Sequence, residues 1–209
     1  KGLQELGVTK GTRVGLLLPN TPFYVIFYYA ILMVGGVVVN LNPLYAAREL
    51  EHLIEDSGME IAVTLDLKIT YEKISTMIGR THLKRLIVCR LAEALPPVKG
   101  FLFELLKKSE LSFIPRDGHH ITYHAVIAND GLPYPVAIHP QNDIAVLQYT
   151  GGTTGVPKAA MLTHANLVVN ATQCRLWFTM AKEGEEDLLA VLPFFHVFAM
   201  TVAMNLGIL

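Results

Sequence analysis

Short apolar runs at residues 14–18, 37–41, 61–65 and 86–89 alternate with longer stretches at 23–34, 46–56 and 69–78 that suit helices. The short runs are continuous in Val, Ile and Leu, with none of the in-out alternation of a half-exposed strand. That predicts strands buried on both faces, as in a parallel sheet. In the 46–56 stretch, Leu50, Leu53 and Ile54 share one side while Arg48, Glu49, Glu51 and Glu55 lie elsewhere, and Gly58 supplies a C-terminal stop. The alternation predicts an α/β fold of three-layer αβα lobes with mainly parallel sheets, whose ligands sit at the carboxyl ends of strands.

Beyond residue 90 the pattern loosens. Pro96-Pro97, a turn at Pro115-Arg116-Asp117-Gly118, and Pro133, Pro135 and Pro140 mark a connector. A second lobe is expected to begin with a strand at 144–147, followed by a helix from near Thr163, a strand at 188–192 and a helix from about Phe198. The expected division is therefore 1–140 for the first lobe and connector, and 141–209 for the start of the second.

Residues 23–39 are apolar throughout, and no charge falls between Arg13 and Arg48. A bilayer-spanning helix needs about 20 such residues. Gly35-Gly36 splits the run before Val37-Val38-Val39, so a buried helix followed by a buried strand is the expected reading. Phe101, Leu102, Leu105 and Leu106 beside Lys107 and Lys108 form a short amphipathic run. A helix packed on the protein body is the plainer expectation, with a contact at a membrane interface as the alternative.

The 209 residues are 52% hydrophobic and 17% charged, enough to bury a large core. The formal net charge of −1 leaves no basic footprint for nucleic acid. Two cysteines, Cys89 and Cys174, make a disulfide framework improbable and fit a reducing cytosol, so a cytoplasmic location is expected. No secretory signal stands at the start, and the first residue is not methionine. The chain reads as a piece of a longer protein.

The chemistry concentrates in Tyr149-Thr150-Gly151-Gly152-Thr153-Thr154-Gly155-Val156-Pro157-Lys158. Glycines let backbone N–H groups converge on an anion, threonine hydroxyls add donors, and lysine adds a mobile positive charge. The common nucleotide-triphosphatase loop is excluded, because Lys158 lies between Pro157 and Ala159 with no hydroxyl following it. A strand-to-helix phosphate grip is the expected geometry. His196 lies among Phe194, Phe195 and Phe198, a polar ring in aromatic surroundings. His119, His120 and His124 lack a third ligand at a diagnostic interval and are expected in a solvated loop, and no metal site is assigned.

The order Thr-Gly-Gly-Thr-Thr-Gly-Val-Pro-Lys, continued by Ala-Ala-Met-Leu-Thr-His, resembles the phosphate-binding signature of the adenylate-forming enzymes. Leu18-Pro19-Asn20, Asn40-Leu41-Asn42-Pro43-Leu44-Tyr45 and Leu192-Pro193-Phe194-Phe195-His196-Val197-Phe198-Ala199-Met200 are similar to stretches of bacterial long-chain fatty acid CoA ligases. The resemblance implies the large N-terminal domain of such an enzyme. Thr150, Gly151, Gly152, Thr153, Thr154, Gly155 and Lys158 would then hold the phosphates of ATP. Lys158 and His196 become the candidate catalytic residues, and Phe195, His196 and Phe198 would line the acid's pocket.

The implied reaction joins a fatty acid to AMP with release of pyrophosphate, then transfers the acyl group to coenzyme A, with Mg2+ as cofactor. The magnesium and ribose motifs of the family, and its mobile C-terminal domain, do not occur here, so the chain by itself is expected to be inactive. Ala159 departs from the family's usual glycine, which implies a shifted affinity. Aryl-CoA ligases and amino-acid adenylation domains share the signature. A non-catalytic lipid-binding or membrane protein with a vestigial loop stands as the reading from another class. Chain length, oligomeric state and any peripheral membrane contact are left open by the resemblance.

Overall fold

A computed structural model describes residues 1–150 and 157–209. In chain order the elements are α1 (Gly2–Glu5), β1 (Arg13–Leu17), α2 (Pro22–Met33), β2 (Val37–Asn40), α3 (Ala47–Ser57), β3 (Ile61–Leu65), α4 (Lys68–Ser75) and β4 (Arg85–Cys89). A 3-10 turn at Leu91–Ala94 leads to α5 (Pro97–Leu106), β5 (His120–Thr122), α6 (Tyr123–Ile127), β6 (Ile144–Thr150), β7 (Lys158–Thr163) and α7 (His164–Trp177). The last segment is helical: α8 (Val197–Ala199), a π-helical stretch Met200–Asn205 and α9 (Leu206–Ile208).

One sheet of seven strands runs in the order β5-β4-β3-β1-β2-β6-β7. Every pairing is parallel except that of β6 with β7. Strands β2 and β3 are buried along their whole length, the consequence of cover on both faces. Alternate residues feed two cores. Val14, Leu16, Val38, Val63 and Val146 pack with α2, while Leu17, Val39, Ala62 and Leu147 pack with α3 and α4. Gly15 of β1 is required by close packing, since a Cβ there would lie 2.5 Å from Met59 Sδ and 3.2 Å from Ala62 Cβ.

The apolar stretch 23–39 divides as expected into α2 and β2, and among the described residues no helix is long and apolar enough to cross a membrane. Helix α2 starts at Pro22, whose missing N–H costs nothing at a helix's first turn. The division expected between residues 140 and 141 falls in the connection leading into β6. Because β6 pairs with β2, the strands on its two sides belong to one sheet.

Two local expectations are corrected. Residues 188–192 form no strand; they run irregularly and find hydrogen bonds in Asn20 instead of a neighbouring strand. The segment after the glycine-rich stretch is β7, antiparallel to β6, so that stretch joins strand to strand, with the helix from His164 following one element later.

Candidate active site

Strand β6 is the axis on which the two sequence motifs meet. Thr150, its last residue, is the register partner of Lys158, the first residue of β7, and Thr150 Oγ1 donates to Lys158 O at 3.4 Å. The two residues frame the glycine-rich connection. Gly151, Gly152, Thr153, Thr154 and Gly155, named from sequence as phosphate ligands, lie outside the described residues. Lys158 is exposed.

Gln148, two residues before Thr150 and therefore on the same face of β6, carries the other motif. Its Nε2 donates to Phe195 O at 3.0 Å. Gln148 Oε1 accepts from Asn40 Nδ2 at 2.8 Å, and Asn40 Oδ1 accepts from Tyr24 Oη at 2.7 Å. Tyr24 Oη also lies 3.1 Å from Phe194 O. All three side chains are buried, so their polar atoms must find protein partners, and the chain of bonds satisfies them. Burial pushes the Tyr24 hydroxyl far above its ordinary pKa and holds it neutral. A second amide completes the mount: Asn20 Nδ2 donates to Ala190 O at 3.0 Å and Leu192 O at 2.8 Å, and Phe194 N donates to Asn20 Oδ1 at 2.8 Å.

These bonds fix the Pro193-Phe194-Phe195-His196 segment against the sheet. Phe194 and Phe195 are buried, whereas His196 and Phe198 are exposed. The His196 ring stands 4.8 Å from that of Phe195, centroid to centroid. Phe195 therefore supports its neighbour from within the core. Sequence reasoning had no role for Tyr24, Gln148 or the Asn40 side chain. The signal available was a lone amide in each of two runs otherwise apolar, Val37-Val38-Val39-Asn40 and Ala145-Val146-Leu147-Gln148.

On the other face of the sheet, Ala159 and Met161 line a cleft of about 640 Å³ with Lys10, Arg13, Asp56, Ser57 and Asp143, and Lys158, the first residue of β7, borders it. His196 is not among its lining residues. Asp56 Oδ2 accepts from Tyr149 Oη at 2.6 Å, and burial, reinforced by that carboxylate, raises the Tyr149 pKa. Asp143 is paired with Lys10 at 2.7 Å, which lowers its pKa. Both carboxylates are thus engaged, and among the described residues no group of three or more His, Cys, Asp or Glu is placed to hold a metal. Ala159 sits inside β7 opposite Tyr149, where its methyl group packs on the core shared with α3, so its pressure falls on the sheet and not on a helix start.

Of the three histidines expected in a solvated loop, His119 lies in an exposed bend, whereas His120 is on β5 and His124 on α6. His120 lies on β5 with its Nδ1 2.8 Å from Asp117 Oδ1 and its Nε2 3.0 Å from Tyr71 Oη. The hydrogen bond from His120 holds the Asp117 carboxyl down at about 2. His124 reaches Glu93 at 3.0 Å and His119 Nδ1 lies 2.9 Å from Lys84 O, so each imidazole has its own partner.

His164, at the start of α7, has its Nε2 buried with no hydrogen-bond partner among the described residues. Desolvation lowers its pKa from the usual 6.5. The unfolded chain therefore binds the proton more readily than the folded one, and stability falls as pH drops below about 6.5 toward the folded value. His164→Phe is expected to flatten this acid-side loss. Thermal melts of both proteins at pH 7.5 and 5.5 check it, and an equal drop in both would assign the loss to other groups.

The family described as AMP-binding enzyme matches residues 1–209, and the chain belongs to it. Among its relatives, the long-chain-fatty-acid CoA ligase of Bacillus subtilis (strain 168) is 39% identical over 210 residues, covering 99% of this chain and 37% of that protein. The long-chain-fatty-acid CoA ligase of Escherichia coli O157:H7 is 36% identical over 213 residues, covering 95% of this chain and 36% of that protein. A crystal structure of a long-chain-fatty-acid-CoA ligase (FadD1) from Archaeoglobus fulgidus superposes with a TM-score of 0.74 at 28% identity, over 98% of this chain and 35% of that one. The fold is thus that of the N-terminal region of adenylate-forming enzymes. The chain spans little more than a third of the length of the relatives it matches.

Proposed function

We propose that this chain is the N-terminal, nucleotide-binding part of an ATP-dependent long-chain fatty acid CoA ligase. The observation that carries the reading is the convergence on β6. Thr150 and Lys158 frame the glycine-rich connection, while Gln148 two residues earlier holds the Phe195-His196 peptide. A polyphosphate held at one place and an acid oriented at the other would meet at the carboxyl end of a sheet strand, where ligands of such sheets bind.

In this reading Lys158 and the loop donors bind the β- and γ-phosphates. The acid's carboxylate oxygen attacks the α-phosphorus, the bond to the pyrophosphate oxygen breaks, and the acyl-adenylate remains. Negative charge builds on the departing pyrophosphate, so a positioned lysine stabilises the transition state electrostatically. His196, exposed beside a fixed aromatic, orients the carboxylate, and exposed Phe198 lines the acyl path. Coenzyme A then displaces AMP through its thiol, giving the thioester. Magnesium would accompany the ATP phosphates, with its protein ligands supplied from outside the described residues. The reading places the protein in the cytoplasm, with its two thiols free.

The test is product formation by the full-length protein given ATP, magnesium, coenzyme A and a panel of long-chain fatty, aromatic and amino acids. The expected result is acyl-CoA and AMP from fatty acids foremost, and none from residues 1–209 alone. Preference for an aromatic acid would move the assignment to an aryl-CoA ligase, amino-acid adenylation without thioester to an adenylation domain, and no turnover with any acid to a non-catalytic role.

A further inference from the structure

We propose that the cleft at the carboxyl ends of β3, β4 and β5 binds a small amine with an apolar body. These strands end at Leu65, Cys89 and Thr122, and the chain between β4 and β5 folds back beside them to bound a space of about 710 Å³. Ligands of parallel sheets sit at such strand ends. β1 and β2 separate β3 from β6 in the sheet, and neither Lys158 nor His196 lines this cleft. Its walls are fixed by local contacts. Ser112 N donates to Asp66 O at 2.8 Å, Leu67 forms a β-bridge with Leu111, and Gly100 of α5 sits so close to the 3-10 turn that a Cβ there would lie 2.5 Å from Ala92 O. The expected packing of α5 on the protein body is thus made through a glycine, which leaves Phe101 and Leu105 to line the cleft.

The head group of the ligand follows from what the cleft leaves unpaired. Asp66 is only 7% exposed. Its Oδ1 accepts from Leu91 N at 3.0 Å, and among the described residues no cationic side chain forms a salt bridge with the carboxylate. Burial raises its pKa, and the Leu91 N–H offsets part of that rise. Ser112, joined to it through their backbone bond, has a buried Oγ with no hydrogen-bond partner among the described residues. A buried carboxylate without a counter-charge and a buried hydroxyl without a partner both cost free energy, which one ammonium group with its three donors would recover. An acid would instead set a second negative charge beside Asp66. Arg90 does not reverse that preference, because it already pairs with Glu104 and lies 3.9 Å from Glu93. Lys108 also lines the cleft but is exposed, so water and salt screen its charge. The apolar body follows from Val88, Phe101, Leu105, Ile114 and Tyr123, which supply most of the remaining wall. The site goes beyond the reading above, since it calls for neither ATP nor a fatty acid.

The full-length protein is titrated calorimetrically with phenethylamine and with phenethyl alcohol, which share one apolar body and differ in the head group. Saturable binding of the amine, about tenfold or more tighter than the alcohol, is the expected result. Asp66→Asn keeps an acceptor for the Leu91 N–H and removes the charge. It is expected to lower the affinity for the amine about tenfold or more and to leave that for the alcohol nearly unchanged. Phe101→Ala alters an exposed side chain, so the fold should stand, and it is expected to weaken both ligands alike by about threefold or more. This second variant probes the same cleft without touching Asp66. Absence of saturable amine binding to the wild-type protein, an alcohol bound as tightly as the amine, or an amine affinity unchanged in both variants overturns the proposal.

Discussion

Asn40→Leu is expected to lower the melting temperature by about 5–15 °C. The substitution orphans the buried Gln148 amide oxygen, which loses its 2.8 Å donor, and takes from the Tyr24 hydroxyl its 2.7 Å acceptor, leaving it the Phe194 carbonyl at 3.1 Å. The orphaned Gln148 oxygen costs about 1–3 kcal/mol and the weakened Tyr24 bond about 1 kcal/mol, so the two together cost about 2–4 kcal/mol. In a domain of this size 1 kcal/mol moves the midpoint by about 2–4 °C. The loss also loosens the mount of Phe194 and Phe195, so full-length protein that stays folded should show weaker acid binding. A melting temperature within about 2 °C of wild type would mean that the network relaxes around the leucine and does not fix the segment.

Lys158→Ala in the full-length protein is the second large effect, on rate and not on stability. Lys158 is exposed, and its carbonyl, which the substitution keeps, accepts from Thr150. The fold should be untouched. A charge-assisted hydrogen bond to phosphate is worth about 1.5–3 kcal/mol, which corresponds to about 10- to 100-fold in adenylate formation. Lys158→Arg keeps the charge but replaces a compact ammonium with a planar fork, so it should recover part of the rate. Fatty-acid-dependent exchange of labelled pyrophosphate into ATP measures both variants. Equal rates for wild type and Lys158→Ala would reduce Lys158 to a surface residue.

The sheet was legible because its central strands are covered on both faces. Runs such as Val37-Val38-Val39 and Ile61-Ala62-Val63 have no polar side to show, and each appears as a strand within a residue of its expected limits. β7 was not legible, because Lys158-Ala159-Ala160-Met161-Leu162 has the residues of a helix and becomes a strand only by pairing with β6. The run Leu188-Leu189-Ala190-Val191-Leu192 fails in the opposite sense. It has strand composition, but its carbonyls at Ala190 and Leu192 are taken by a side chain, Asn20, and composition cannot reveal which partner a backbone will meet.

The candidate site divides in the same way. Lys158 and His196 announced themselves through motifs. The residues that mount the segment bearing His196, namely Gln148, Asn40, Tyr24 and Asn20, lie far apart in sequence, and only the parallel pairing of β2 with β6 brings the two buried amides together. His120 was misread because the turn before it, Pro115 to Gly118, hid the three residues of β5 that follow.

Titration of ATP into the full-length protein, wild type against Lys158→Ala, bears most directly on the claim that the connection between β6 and β7 grips a polyphosphate. Binding by the wild-type protein, weakened about tenfold or more in the variant, is the predicted result. An identical dissociation constant for the two proteins, or no binding by either, would contradict it.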